Sequence, residues 1–187
     1  MNLGRWMLPG MIAAMAATLT AAVGATITLL GPWYRSLEQP SWAPPDIAFG
    51  PAWTLIFALC AISGATAWRA APDRESGDTV IGLFALNGFL NLLWSFLFFR
   101  AQRPDWAAVE VWFLWTSILI LILYCWRFSR LAALLFLPYL LWVSFAGALN
   151  IKVVELNAPF GASAASNSEA IARLARSPAG RAGGHAA

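Results

Sequence analysis

Charge is what this chain has least of. Only 11% of its 187 residues are Asp, Glu, Lys or Arg, whereas 60% are hydrophobic. A soluble domain carries about a quarter charged residues, because its surface must hold water. Histidine is almost missing: the one His, His185, sits close to the C-terminus. Zinc or haem sites built from helix-borne His ligands are thereby excluded. The two cysteines, Cys60 and Cys125, stand alone in separate apolar stretches, so there is no CxxC pair and no disulfide framework to report on redox compartment. A Ser-His-Asp set cannot form within those stretches, and no Gly-rich phosphate loop precedes a helix. Together these scarcities argue against an ordinary soluble enzyme, a nucleic-acid binder and a disordered chain. Apolar residues and tryptophan are abundant instead, with 11 Trp and a mean hydropathy of +0.65.

The positions of the few charges turn composition into architecture. No charge lies between Arg5 and Arg35, between Asp46 and Arg69, between Asp78 and Arg100, or between Arg130 and Lys152. Asp105 to Arg127 encloses only Glu110. Each window holds at least 21 residues, and about 20 apolar residues at 1.5 Å rise cross a hydrocarbon core. The reading is an all-α membrane protein with five spans, about 8–30, 48–69, 79–99, 106–126 and 131–153, in one domain over 1–157. Helices are required because lipid leaves a single span no other way to satisfy its backbone; the alternating polarity of a membrane β-barrel is absent. The first span resembles a signal peptide in Arg5 and its small residues, but its apolar run continues to Leu30 without a polar break, so it is read as retained. Within it Ala13, Ala17, Ala21 and Ala25 form a small-residue row, either an internal seam or a dimer face. Residues 158–187 are rich in Ala, Gly, Ser and Arg and are read as a disordered tail. Arginine placement leans toward a cytoplasmic C-terminus.

One connection is unlike a linker. Residues 31–51 carry five prolines, Pro32, Pro40, Pro44, Pro45 and Pro51, together with Trp33, Tyr34 and Trp42. Proline fixes φ and removes a donor, so this segment is expected to be stiff and mostly non-helical. It is either a lid over a site or part of an interfacial aromatic belt. Pro51 is tolerable in the first turn of the second span.

Inside the spans, polar and aromatic residues fall on helical faces. Asn87, Asn91, Trp94 and Phe98 share one face of the third span. Phe49, Trp53, Phe57, Cys60 and Gly64 share one of the second, and Tyr139, Trp142, Ala146, Leu149 and Asn150 one of the fifth, where Pro138 is expected to kink the helix. Two asparagines on one face are costly in lipid, so that face should point inward. Such stripes either pack helices together, with amides as inter-helix ties, or line a pocket for a flat, mostly apolar ligand. Trp68, Trp106 and Trp126, at helix ends, fit the interfacial belt. Glu110, one turn inside the fourth span, is expected to snorkel to the interface.

Four segments together resemble the TspO/translocator-protein family, also called tryptophan-rich sensory proteins or peripheral-type benzodiazepine receptors. They are WYRSLEQPSWAPP (Trp33–Pro45), GPAWTLIF (Gly50–Phe57), NGFLNLLWSFLFF (Asn87–Phe99) and PYLLWVSFAGALN (Pro138–Asn150). The resemblance implies a five-helix bundle in a bacterial membrane, a homodimer, and a cavity beneath the first connection. It implies a translocator, receptor or sensor for porphyrin, haem and related flat hydrophobic ligands, with no cofactor required and no metal site. By motif position, Tyr34, Pro44, Trp53, Phe57, Asn91, Trp94, Trp142 and Ala146 would line the pocket. The alternative it carries is photo-oxidative porphyrin degradation, with Trp53 and Trp142 as the reacting tryptophans. The lack of helix-borne His agrees with a stacked ligand and does not suit iron ligation. Two departures stand out. Leu149 and Asn150 are followed by Ile151 and Lys152 where the family's sterol motif has an aromatic residue. Phe57 replaces a frequent tyrosine, removing a hydroxyl.

Overall fold

The computed structural model describes residues 31–157 together with Pro159 and Phe160. The expected span 8–30, its alanine row and all but two residues of the expected tail lie outside the described residues. Among those described, every regular element is helical and there is no strand. In chain order they are α1 (Pro32–Ser36), a 3-10 turn (Asp46–Ala48), α2 (Phe49–Ala70), α3 (Arg74–Ser95), a π turn (Phe96–Arg100), α4 (Pro104–Trp126), α5 (Arg130–Leu135) and α6 (Leu137–Leu156).

Four stretches are long and apolar enough to cross a membrane: Asp46–Ala70, Arg74–Arg100, Pro104–Trp126 and Arg130–Leu156. Their ends are set by local chemistry. Asp73 caps α3 by accepting from the Ser76 N–H at 2.7 Å, which satisfies a donor that the helix itself leaves free. Pro104 opens α4, where a missing N–H costs nothing. The π turn closes α3 through Ala101 N–H donating to Phe96 O at 2.9 Å, and Gln102 then takes a left-handed φ of 53° that stops the helix. Ser129 caps α5 on the Ala132 N–H. Pro138 does more than kink its span: the helix breaks between Leu135 and Leu137, and Pro138 falls in the first turn of the new helix α6.

α4 is the hub. It packs on α3, α5 and α6 and is the most buried of the four spans. Its inner face, Val111, Leu114, Ile118, Leu121 and Cys125, meets Ala132, Ala133, Phe136, Tyr139 and Val143 in one apolar core. Polar ties run between the helices. Asn87 donates to Ser117 Oγ at 2.8 Å, joining α3 to α4. Trp115 Nε1 donates to Ser144 Oγ at 2.8 Å, joining α4 to α6. With its amide turned to satisfy both ends, Asn150 of α6 donates to Pro104 O at 3.0 Å and accepts from Ala108 N–H at 2.9 Å.

α2 is fastened at its far end. Ser63 Oγ donates to Ala132 O of α5 at 2.7 Å, and a Cβ placed on the neighbouring Gly64 would lie 3.0 Å from the Phe84 ring of α3. Along α6, by contrast, α2 makes few close backbone approaches. A large side chain at Gly64 should therefore separate α2 from α3. Gly64→Leu is expected to destabilise the bundle by about 1–3 kcal/mol, read as an earlier midpoint in detergent denaturation. Adding Phe84→Ala should recover part of that loss; an unshifted midpoint in the single variant would show that the seam is slack.

Candidate aromatic site

Where α2 and α6 diverge, rings fill the space. Trp53 stacks on Phe57 with centroids 5.4 Å apart, and its ring meets Tyr139 at 6.2 Å and Trp142 at 6.4 Å, both edge-on. Trp142 also meets Phe49 at 5.7 Å and Phe145 at 5.9 Å. Trp42 of the first connection reaches Phe145 at 5.7 Å. A second group forms at the end of α3. Trp94 stacks on Phe98 at 5.3 Å and meets Phe99 edge-on at 6.2 Å. Trp33 packs on Phe98 at 6.0 Å and Tyr34 on Phe99 at 5.8 Å. The two groups are linked through Asn91, which donates to the Tyr139 hydroxyl at 3.1 Å.

The structure thus brings Trp53, Phe57 and Trp142 into direct contact and ties Asn91 to them through Tyr139. It places Tyr34 and Trp94 in the second group, where both meet Phe99. Pro44 and Ala146 are half-buried on the connection and on α6. Residue spacing did not single out Phe99 or Phe145, nor the partners of the asparagines. Phe145 adjoins the Trp142 face of α6, so the helical pattern alone left it on the edge of the stripe.

The connection is strapped down over these rings. Asn157, the C-cap of α6, donates from its amide to Glu38 O at 3.0 Å and accepts from Glu38 N–H at 2.8 Å. The same amide donates to Val153 O at 2.8 Å, which fixes its orientation. From there the segment lies along α6 back to Phe145, with a turn closed by Ala43 N–H on Pro40 O. The Tyr34 hydroxyl donates to Asp46 Oδ1 at 3.2 Å across the connection. Burial, and then the neighbouring Asp46 carboxylate, push the Tyr34 phenol from 10.0 up to about 12.

The two ring groups contain no charged side chain, and they leave donors to spare. Trp94 Nε1 and Trp142 Nε1 are both buried and have no acceptor. A buried donor without a partner forfeits about 1–3 kcal/mol. Each aromatic group therefore offers flat walls and one unspent N–H. Among the described residues no three His, Cys, Asp or Glu side chains converge as metal ligands do.

Glu110 departs from expectation. It does not snorkel; it is 6% exposed, and neither carboxylate oxygen has a hydrogen-bond partner. Glu110 lines a shallow, mostly apolar groove together with Leu90 and Leu93 of α3.

Comparison with known proteins decides the family. Residues 11–156 match the TspO/MBR family. The chain belongs to that family. It is 38% identical over 125 residues to the tryptophan-rich protein TspO of Chlorobaculum tepidum, covering 67% of this chain and 79% of that protein. With the tryptophan-rich sensory protein of Cereibacter sphaeroides it shares 35% over 152 residues, 77% of this chain and 92% of the other. With the translocator protein of Sus scrofa it shares 32% over 155 residues, 79% and 91%. Membership of the TspO/MBR family, together with four apolar helices of spanning length, makes it an integral multi-pass membrane protein.

Two measurements probe the strap. Asn157→Ala removes both bonds to Glu38 and should raise amide exchange at Glu38 and its neighbours while leaving α4 protected; equal exchange in both proteins would show that the rings alone hold the segment. For Tyr34 the sign runs one way. A phenol whose folded pKa is raised contributes stability that is complete below pH 10 and lost as pH climbs through about 12. Tyrosinate absorbance, assigned by difference with Tyr34→Phe, should appear near pH 12 and move down in Asp46→Asn.

Proposed function

We propose that this TspO-family protein is a membrane-embedded binding protein, of the sensor or translocator type, for porphyrin-like tetrapyrroles and related flat hydrophobic ligands. The observation that carries the reading is the pair of buried, unpartnered indole donors, Trp94 and Trp142, each set among stacked and edge-on rings. Packing alone accounts for rings, because aromatic contacts stabilise a bundle by about 0.5–1.5 kcal/mol each. It does not account for two donors left unsatisfied in a membrane interior, where each is a standing loss. A conjugated macrocycle offers faces to the rings, and its carboxylate or carbonyl oxygens offer acceptors to the N–H groups.

On this reading Trp53, Phe57, Trp142 and Ala146 form one wall and Asn91 and Trp94 another, with Tyr34 and Pro44 in the covering segment. Residues 8–30 supply the fifth helix, and the chain works as a homodimer with its C-terminus in the cytoplasm of a bacterial cell. The names of the relatives, sensory protein and translocator protein, agree with ligand-coupled roles. A second reading rests on the Trp53–Trp142 contact at 6.4 Å. Two adjoining indoles beside a bound photosensitiser are placed for light-driven oxidation by dioxygen, which would make the protein a porphyrin-degrading enzyme.

Titration with protoporphyrin in the dark should quench tryptophan emission saturably. Trp53→Ala and Trp142→Ala are each expected to weaken binding about tenfold or more, the loss of a stacked wall being about 1–3 kcal/mol. Unchanged affinity in both variants would remove the pocket assignment. Repeating the titration under light and oxygen separates the readings: a new absorbing product, lost in Trp53→Phe, belongs to the enzyme, and a stable spectrum to the binding protein.

A further inference from the structure

The connection over the rings is closed on itself as well as on the bundle. Tyr34 and Asp46, whose side chains meet at 3.2 Å, are 12 residues apart and form the neck of a compact loop. Within residues 35–45 stand Pro40, Pro44 and Pro45, and Ala43 N–H donates to Pro40 O at 2.9 Å, so the body of the loop is stiff. It is held to α6 in two ways. Asn157 uses one side-chain amide to take both backbone groups of Glu38, accepting from the N–H at 2.8 Å and donating to the carbonyl at 3.0 Å. Trp42 sits edge-on against Phe145 at 5.7 Å. These two anchors lie about 18 Å apart along α6 at helical rise. The Phe145 ring in turn adjoins Trp142 at 5.9 Å, and Trp142 meets Trp53 at 6.4 Å. Trp42 is thus the outermost of a chain of rings that leads into the site, and it is half exposed.

The Asn157 bonds lie at an exposed rim, where water can replace both, so releasing them costs little. Asn157 keeps its own position on release, because its amide also donates to Val153 O at 2.8 Å. A tie in the membrane interior, such as Asn87 to Ser117, has no such replacement. We propose that residues 35–45 are a flap that swings as one body about the Tyr34–Asp46 neck, and that Asn157 is its latch. The latch sets how fast the aromatic site opens and leaves the strength with which it holds an occupant unchanged. That division follows from position: Asn157 meets the backbone of the flap and of α6, and takes no part in the ring contacts that form the walls. Because it grips main-chain groups, the latch is blind to the side chain at position 38. The claim on ligand traffic rests on the binding reading above; the claim that the flap is latched does not.

The test uses the full chain in nanodiscs with Pro40→Cys as reporter, since Pro40 is the buried residue of the flap. A charged, membrane-impermeant methanethiosulfonate reaches that thiol when the flap lifts, and the chain without Pro40→Cys corrects for Cys60 and Cys125. Adding Asn157→Ala should raise the modification rate about tenfold, as the loss of two exposed hydrogen bonds implies. Glu38→Pro attacks the latch from the other side by removing the N–H, at a place where the extended Leu37 backbone admits a following proline, and should raise the rate as well. Glu75→Cys, an exposed reporter at the start of α3, should react at one rate with or without either change, which shows that the bundle is intact. An unchanged Pro40→Cys rate in both variants would overturn the latch. Protoporphyrin is then mixed rapidly with the chain lacking the reporter, and its entry and exit are followed by tryptophan quenching. Both rates should rise by the same factor in Asn157→Ala, with affinity held within about twofold. Weaker affinity through faster exit alone would place Asn157 in the pocket wall and overturn its role as latch. Faster thiol modification with no protoporphyrin binding at all would support the latch and defeat the binding reading.

Discussion

In hydrocarbon, polar groups have only one another, and that constraint organises this bundle. Apolar surface cannot drive the helices together, because lipid tails are as apolar as leucine. Position is therefore set by close packing and by a few polar side chains that find partners on other helices. Asn87 with Ser117, Trp115 with Ser144, and Asn150 with the first turn of α4 all converge on α4. Asn91 with Tyr139 joins α3 to α6 behind it. Each tie is worth only about 1 kcal/mol, yet each also fixes a helix rotation, since turning an asparagine outward would leave its amide in lipid.

The same ties decide where the structure stays open. α2 is bound to α5 by Ser63 and approaches α3 closely at Gly64, both in the half of the helix distant from the first connection. No comparable tie joins α2 to α6 among the described residues. The space between them is held by Phe49, Trp53, Phe57 and Trp142, whose contacts are ring edges and faces. Ring contacts can be exchanged for contacts with another flat molecule at little net loss, whereas a buried amide bond cannot. The rigid and exchangeable halves of the bundle thus differ in the kind of interaction used. The strap at Asn157 and Glu38 lies at the exchangeable end.

Much of this was legible in the charges. The windows free of Asp, Glu, Lys and Arg located four spans to within a few residues, except that α3 begins at Arg74, where Asp73 supplies a cap the hydrophobic count does not see. The asparagine face of α3 was legible from spacing, but its partners were not: Ser117 and Tyr139 lie 30 and 48 residues away, and nothing local marks them. The break before Pro138 was legible as a kink and is larger, because Phe136 accepts from Leu140 N–H and starts a new helix. Glu110 was misread. Its depth of one turn allows snorkelling, but the side chain is buried, and burial by neighbouring elements leaves no trace in the spacing of α4.

Tryptophan excess and charge scarcity turn out to be separate matters. Trp68, Trp106 and Trp126 are 36–56% exposed at helix ends, where an indole is satisfied by the membrane interface. Trp115 spends its N–H on Ser144 and is structural. Trp94 and Trp142 belong to neither class, since burial removes the interface and no acceptor replaces it. Among the described residues, the buried side-chain groups left without a partner are then these two indole donors and the Glu110 carboxyl.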